Sequence, residues 1–294
     1  MRAIRAGTVG AGWGTRCAFA LAALAALTLS SAAAESTGPS DPAPDPGSTW
    51  IVSLGATGGV ETRYLGSRLS APTATPSVGF RRVGEPDDFS PHEDGLDYTL
   101  YGTKTFQIGP VASLRGDRNA GADARLNGLK KYPMTIDAGV FASLWPIEDL
   151  LRVRLEVRQG LRPDDGVVAD LNGDLVRHIG AFTLSGGPRL SFGDAAANKL
   201  ELGVSPLESA RNGAVPAFKP HAGARTLGYG AALSYDWSPV WRTTVFHRFD
   251  RLVGDAAESP ITKRLGSADQ ATLGVGFVYS FAANTDTGQL AALH

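Results

Sequence analysis

Leu151-Arg152-Val153-Arg154-Leu155-Glu156-Val157-Arg158-Gln159 alternates apolar and charged residues without a break, which is the two-residue period of a β-strand. Leu151, Val153, Leu155 and Val157 share one face; Arg152, Arg154, Glu156 and Arg158 share the other. Two settings suit such a strand. Either it belongs to a half-exposed sheet of a soluble domain, or its apolar face meets lipid and its charged face lines a polar barrel interior.

The surrounding sequence repeats the pattern. Met134, Ile136, Ala138, Val140 and Ala142 oppose Thr135, Asp137, Gly139 and Ser143, with Phe141 out of phase. Similar alternation recurs from Trp50, Phe182, Leu227 and Ala271, broken in the second case by Gly186, Gly187 and Pro188. Aromatic residues fall at segment ends (Trp50, Trp145, Tyr235, Trp237, Trp241, Tyr279, Phe281), where the interfacial girdle of a membrane barrel sits. A soluble sandwich would alternate equally, so aromatic placement tilts the reading to an all-β, transmembrane, antiparallel up-and-down β-barrel. Eleven strands are expected, at 50–60, 72–81, 95–101, 105–115, 133–144, 150–160, 166–177, 182–192, 222–236, 240–252 and 270–281, with a weaker twelfth at 198–204. Bacterial barrels carry even numbers, so twelve is expected and ten is the alternative. Twelve places 205–221 and 253–269 outside the cell, Asp236 to Val240 in a periplasmic turn, and the long stretch 116–132 on the periplasmic side.

The chain begins like an exported protein. Arg2, Arg5 and Arg16 precede the apolar run Ala18 to Leu29 and the small residues Ser30 to Ala34, the layout of a cleaved signal peptide over 1–34. An uncleaved anchor would need about 20 apolar residues. Residues 35–49, rich in Pro, Ser and Asp, read as a disordered leader. The barrel is expected over 50–281, followed by a polar tail over 282–294. Cleavage would remove Cys17, the only cysteine, and with it any disulfide or thiolate site. The 294-residue chain carries a net charge of −1, which gives nucleic acid no electrostatic footprint.

Catalytic and cofactor motifs are absent. The five histidines make no His-x-x-x-His or Glu-x-x-His pair, no metal or other cofactor is expected, and neither a Gly-x-Ser-x-Gly elbow nor a phosphate-binding glycine loop occurs. His247 with Ser234 on the preceding strand is the one pair an interfacial hydrolase could use, and a merely polar or interfacial histidine is the better reading. The charged residues Arg152, Arg154, Glu156, Arg158, Asp170 and Arg189 form a candidate lumenal network, joined on inward positions by Asp137, Asp174 and Asp236. Opposite charges paired inside would fill a small barrel or line a pore, and filling is the favoured reading.

Several blocks together resemble the MipA/OmpV family of outer-membrane proteins. They are Leu155 to Gln159 with Gly166 to Leu171, Leu184 to Leu190, Gly203 to Pro206 with Ser209 to Gly213, Arg251 to Ile261, and Gly274 to Phe281. Two features depart from that family: Phe281 is followed by a polar tail, and 82–94 is longer and more polar than the usual link. The resemblance implies a non-enzymatic outer-membrane barrel embedded in the lipid bilayer. In some members such a barrel holds a lytic transglycosylase and a penicillin-binding peptidoglycan synthase together, and in others it adheres to host surfaces. A small-solute channel is the further alternative. The family offers no catalytic residue to carry over; Ser209, Arg211, Asp255, Ser259 and Pro260 are candidates for shaping loops.

Overall fold

The computed structural model describes residues 49–83, 89–118, 121, 123–284 and 290–291. In strand β7 (Leu151–Gly160) the alternation is turned inside out relative to a soluble protein. Arg152, Arg154 and Glu156 are 1–3% exposed, whereas Val153, Leu155 and Val157 are 37%, 44% and 38% exposed. In water, each such apolar side chain would forgo about 1.5–3 kcal/mol of burial, and the buried charges would add their own desolvation cost. Lipid outside removes the first objection, because a hydrocarbon solvent accepts those side chains. Ile136, Val140, Leu171, Leu184, Leu227, Leu233, Val245, Leu273 and Phe277 are exposed in the same way on other strands. This outward apolar band excludes the soluble sandwich. No described helix is long and apolar enough to cross a membrane.

The strands are β1 (Thr49–Thr62), β2 (Ser70–Arg82), β3 (Leu96–Asp97), β4 (Tyr101–Gly102), β5 (Phe106–Arg115), β6 (Thr135–Ile147), β7, β8 (Val167–Ile179), β9 (Phe182–Gly193), β10 (Gly223–Ser238), β11 (Trp241–Leu252), β12 (Asp269–Asn284) and β13 (Leu290–Ala291). They form one antiparallel sheet in the order β2-β1-β12-β11-β10-β9-β8-β7-β6-β5-β3, with β4 on β5 and β13 on β12. Backbone bonds from Tyr98 to Pro110 and from Leu100 to Ile108 carry the β5 ladder between β3 and β4, so these two act as one strand. The ring therefore counts eleven strands, with β13 as a partial twelfth beside β12.

One end carries the short turns 103–105, 148–150, 180–181 and 239–240 together with the paired strand ends Thr49 and Asn284. The other end carries the long connections 63–69, 116–134, 161–166, 194–222 and 253–268. β2 and the β3–β4 strand both run from the loop end to the turn end, and no pairing joins them among the described residues. Proline marks this seam. Pro72 and Pro76 share one parity on β2, and a strand keeps its ladder only if a proline nitrogen faces away from its partner. Both nitrogens thus face the open edge.

Three expectations are corrected. Residues 198–204 are not a strand: helix α1 (Ala195–Leu202) covers most of them, and its N-cap Asp194 accepts a 2.7 Å bond from the Ala197 N–H. The loss of that strand moves 116–132 from the turn end to the loop end. Trp145 is no girdle residue; it is 8% exposed and packs inward, edge-on to Phe89. Tyr235, Trp237, Trp241, Tyr279 and Phe281 do lie at the turn end, in two groups: Tyr235 and Trp237 have ring centroids 4.7 Å apart, and Tyr279 lies 4.8 Å from Trp241 and 6.0 Å from Phe281. Residues 1–48 lie outside those described, and β12 runs three residues past Phe281, to Asn284.

If lipid faces the outside of β7, Leu155→Arg should destabilise the barrel by about 2–4 kcal/mol, the cost of a cation near the bilayer middle. Reversible unfolding by denaturant in lipid vesicles measures this.

Candidate functional site: the filled lumen

The inward charges of β7 are buried and therefore need partners. Arg152 donates to Asp174 through Nε and Nη2, at 3.0 and 2.7 Å, and to Asp94 through Nη1 at 2.7 Å. Arg154 donates to Glu156 at 2.8 Å and to Asp97 at 2.5 Å, and its guanidinium lies 4.0 Å from the Phe141 ring centroid. Phe141 is out of phase with its apolar neighbours because it is the inward floor for that cation. Arg158 joins Glu156 at 2.6 Å and also pairs with Asp170. Arg189 bonds Asp174 at 2.6 Å. All six candidate lumenal residues therefore lie in one lattice.

Glycine and proline at 186–188 have their reason here. The ladder between β8 and β9 lapses from Asn172 and Arg189 to Leu175 and Gly186, and a Cβ on Gly187 would lie 2.3 Å from the Gly173 oxygen. Arg189 Nη1 donates to the freed carbonyls of Gly173 and Pro188, at 2.7 and 3.1 Å. One guanidinium answers the carbonyls left at this gap in the ladder and anchors the lattice.

Several partners come from a segment absent from the strand pattern. The chain leaves β2 at the turn end and rejoins the sheet at Leu96, opposite Ala112 in the loop-end half of β5. Residues 89–95 lie in the lumen between. Glu93 accepts from Arg189 at 2.7 Å, Asp94 holds Arg152, the Phe89 carbonyl accepts from Arg152 at 3.2 Å, and His92 stacks on Phe246. This inner segment is held inside the barrel by the wall arginines.

The loop end is closed by a separate cap. Helix α1, helix α2 (Pro206–Asn212), helix α3 (Gly254–Glu258) and a π-helical turn at Ile261–Leu265 sit over it. Tyr64, Leu126, Leu129, Val204, Val215, Ile261 and Leu265, drawn from four connections, make its apolar core. Arg118, 1% exposed, donates to the carbonyls of Glu201 and Lys130 and stacks over Tyr132. Of the loop candidates, Ser209 donates to the Val215 oxygen at 2.7 Å, and Ser259, fully buried, donates to the Leu202 oxygen at 2.7 Å. Asp255 accepts from the His221 N–H at 2.6 Å, Pro260 starts the π-helical turn, and Arg211 is exposed in the last turn of α2.

Charge inside the cap is tuned by these contacts. Hydrogen bonds from Arg125 hold Asp123 below the ordinary carboxylate range, and those from His221 do the same for Asp255. Burial pushes Asp165 and Glu208 upward, but bonds from Thr135 and Arg162, and from Ser205 and Lys130, outweigh it and leave both lowered. Burial and its bond to Asp123 push Tyr64 up to about 12.

Ser234 and His247 do not meet. Ser234 shares a hydrogen bond with Thr244, while His247 lies opposite Ala231 on the outward face, 5.8 Å from Tyr229 between ring centroids. Among the described residues no group of three or more His, Cys, Asp or Glu is placed to hold a metal ion.

Residues 54–281 match the family described as MltA-interacting protein MipA. The chain belongs to the MipA family. A search of curated proteins gave no match. Among solved structures, the NanC porin is 11% identical over 78% of this chain and 98% of its own, with a TM-score of 0.38. An outer membrane channel from Pseudomonas putida F1 is 8% identical over 84% and 100%, at 0.37, and OmpT of Vibrio cholerae is 8% identical over 81% and 98%, at 0.31. Likeness this distant carries no functional argument. The outer-membrane assignment of this MipA-family barrel rests on its family and on its own apolar outer face.

Two outcomes follow from this site. Asp174→Ala would leave Arg152 and Arg189 short of a shared buried carboxylate and should cost about 3–5 kcal/mol in unfolding free energy. Glu148→Ala, which removes an exposed partner of Lys104, should cost no more than about 1 kcal/mol. For the cap, a lowered carboxylate stabilises the fold above its unfolded pKa of about 4, and that contribution disappears as pH falls through the lower folded value. Amide exchange in 123–134 and 194–222, corrected for intrinsic rates, should stay protected to about pH 4 and lose protection below it.

Proposed function

We propose that this MipA-family barrel is a non-enzymatic outer-membrane scaffold that serves peptidoglycan remodelling, delivered by a cleaved signal peptide. The observation that carries the reading is the filled lumen. Paired wall arginines, the inner segment bound to them and the cap over the loop end crowd the described interior, which favours the surfaces at the two ends as those that act. In bacterial barrels short turns and both termini face the periplasm, which puts 103–105, 148–150, 180–181 and 239–240 on the murein side.

The family's description names the partner class, a lytic transglycosylase of the MltA kind. A penicillin-binding synthase bound at the same time would couple murein cleavage to synthesis. Opposition to the channel reading comes from the paired charges of the interior, and the adhesin reading has no observation in its favour beyond the exposed loops.

Mild cross-linking in cells followed by purification of a tagged barrel tests the proposal. Recovery of a lytic transglycosylase, absent from a control barrel of similar abundance, is expected. Recovery of neither that enzyme nor a synthase from cross-linked envelopes contradicts the scaffold reading.

A further inference from the structure

On the outer face, β11 carries an ionisable residue well inside the apolar band. Ten residues separate Trp241 at its turn end from Arg251, whose exposed ion pair with Asp269 marks the loop end. At about 3.4 Å per residue and a tilt of about 45°, that is roughly 24 Å, the height of the apolar band of such barrels. The outward positions between the two are Thr243, Val245, His247 and Phe249. His247 thus lies in the hydrocarbon layer, in the half nearer the loops. Among the described residues it makes no hydrogen bond or ion pair, and its ring neighbour is Tyr229, 5.8 Å away between centroids. An ionisable side chain in that layer is costly and points to a function.

A groove of about 210 Å³ opens outward at this point, and Leu184, Ala231, Leu233, Val245, His247 and Leu273 are among the residues that line it. Strand register makes it. Gly186, Ala231, His247 and Leu273 are successive partners across β9, β10, β11 and β12, and the first two put almost no side chain into the row. The row towards the turns holds Leu184, Leu233 and Val245, and the row towards the loops holds Pro188, Tyr229 and Phe249. Larger side chains therefore rim a dent, with the imidazole as one wall. Neither ring nitrogen is sealed inside the barrel. The groove is smaller than the about 300–1,000 Å³ of pockets that enclose a whole small molecule, and suits a length of one acyl chain.

We infer that this groove binds a hydroxylated acyl chain of a membrane lipid in the leaflet on the loop side. Lipid chains are what surround the wall at this depth. A plain chain leaves the imidazole nitrogens unanswered, and polar groups without partners in hydrocarbon are costly. A neutral imidazole has one N–H donor and one acceptor nitrogen, and a hydroxyl can meet either. An ester carbonyl can meet only the donor. The inference rests on the barrel's place in the membrane and is independent of any partner bound at the turn end.

The test incubates the full-length barrel, purified in detergent, with equal amounts of two phosphatidylethanolamines, one with 3-hydroxytetradecanoyl chains and one with tetradecanoyl chains. Native mass spectrometry reads which lipid stays bound, and heat-modifiable migration on gels reports folding of every sample. The hydroxylated lipid should be retained about fivefold over its counterpart, the worth of one net hydrogen bond. His247→Phe, which keeps a ring beside Tyr229, should abolish that preference, and Ala231→Leu, which fills the dent, should lower retention of the hydroxylated lipid several-fold. Folded wild-type barrel that retains the two lipids equally overturns the inference. So does a preference that folded His247→Phe barrel keeps in full. A barrel dimer that Ala231→Leu dissociates would also overturn it, by giving the groove to a second copy.

Discussion

A guanidinium inside a small membrane barrel has nowhere to go except to a carboxylate. Removing an arginine from water costs several kcal/mol unless its charge and its N–H groups are both answered, and the lipid side of the strand answers neither. Arg152, Arg154, Arg158 and Arg189 all sit under this constraint. Much of the interior reads as its consequence. Asp174 bridges two of them, Glu156 bridges two others, Phe141 supplies a π face, Glu93 and Asp94 arrive from the inner segment, and Asp97 comes from the short strand β3.

The same constraint bears on topology. An odd ring leaves β2 and the β3–β4 strand parallel across an unpaired seam, with prolines on the β2 edge. The described portion of the connection between these two strands runs through the lumen, where its acids are needed by the wall. Seam and filled lumen are thus two results of one chain path, and the apolar cap closes the loop end independently.

How much of this was legible in the sequence depended on whether a signal was local. The β7 alternation was decisive because its two faces differ in kind, and the lattice residues on it followed directly. Ser209 follows the local habit of serines in turns, its hydroxyl bonding the Val215 oxygen a few residues on, whereas Ser259 reaches the Leu202 oxygen in a different connection, which no local signal carries. The inner segment was not legible as a plug: 89–95 has no period, and a polar stretch lacking one reads as a loop. Residues 198–204 misled because Leu200, Leu202 and Val204 alternate as in a strand. The overlooked signal was Asp194 followed by three alanines, an N-cap and a helix start. Trp145 was missed because an aromatic at a strand end points inward as readily as outward until its neighbours are known.

The central claim is that ion pairs and the inner segment fill the lumen of the native barrel. Its most direct test is ion conductance of the purified full-length barrel in planar lipid bilayers. The account predicts a silent membrane at neutral pH, even when insertion is verified by protection from added protease. Stable openings of uniform size from the wild-type barrel would contradict it.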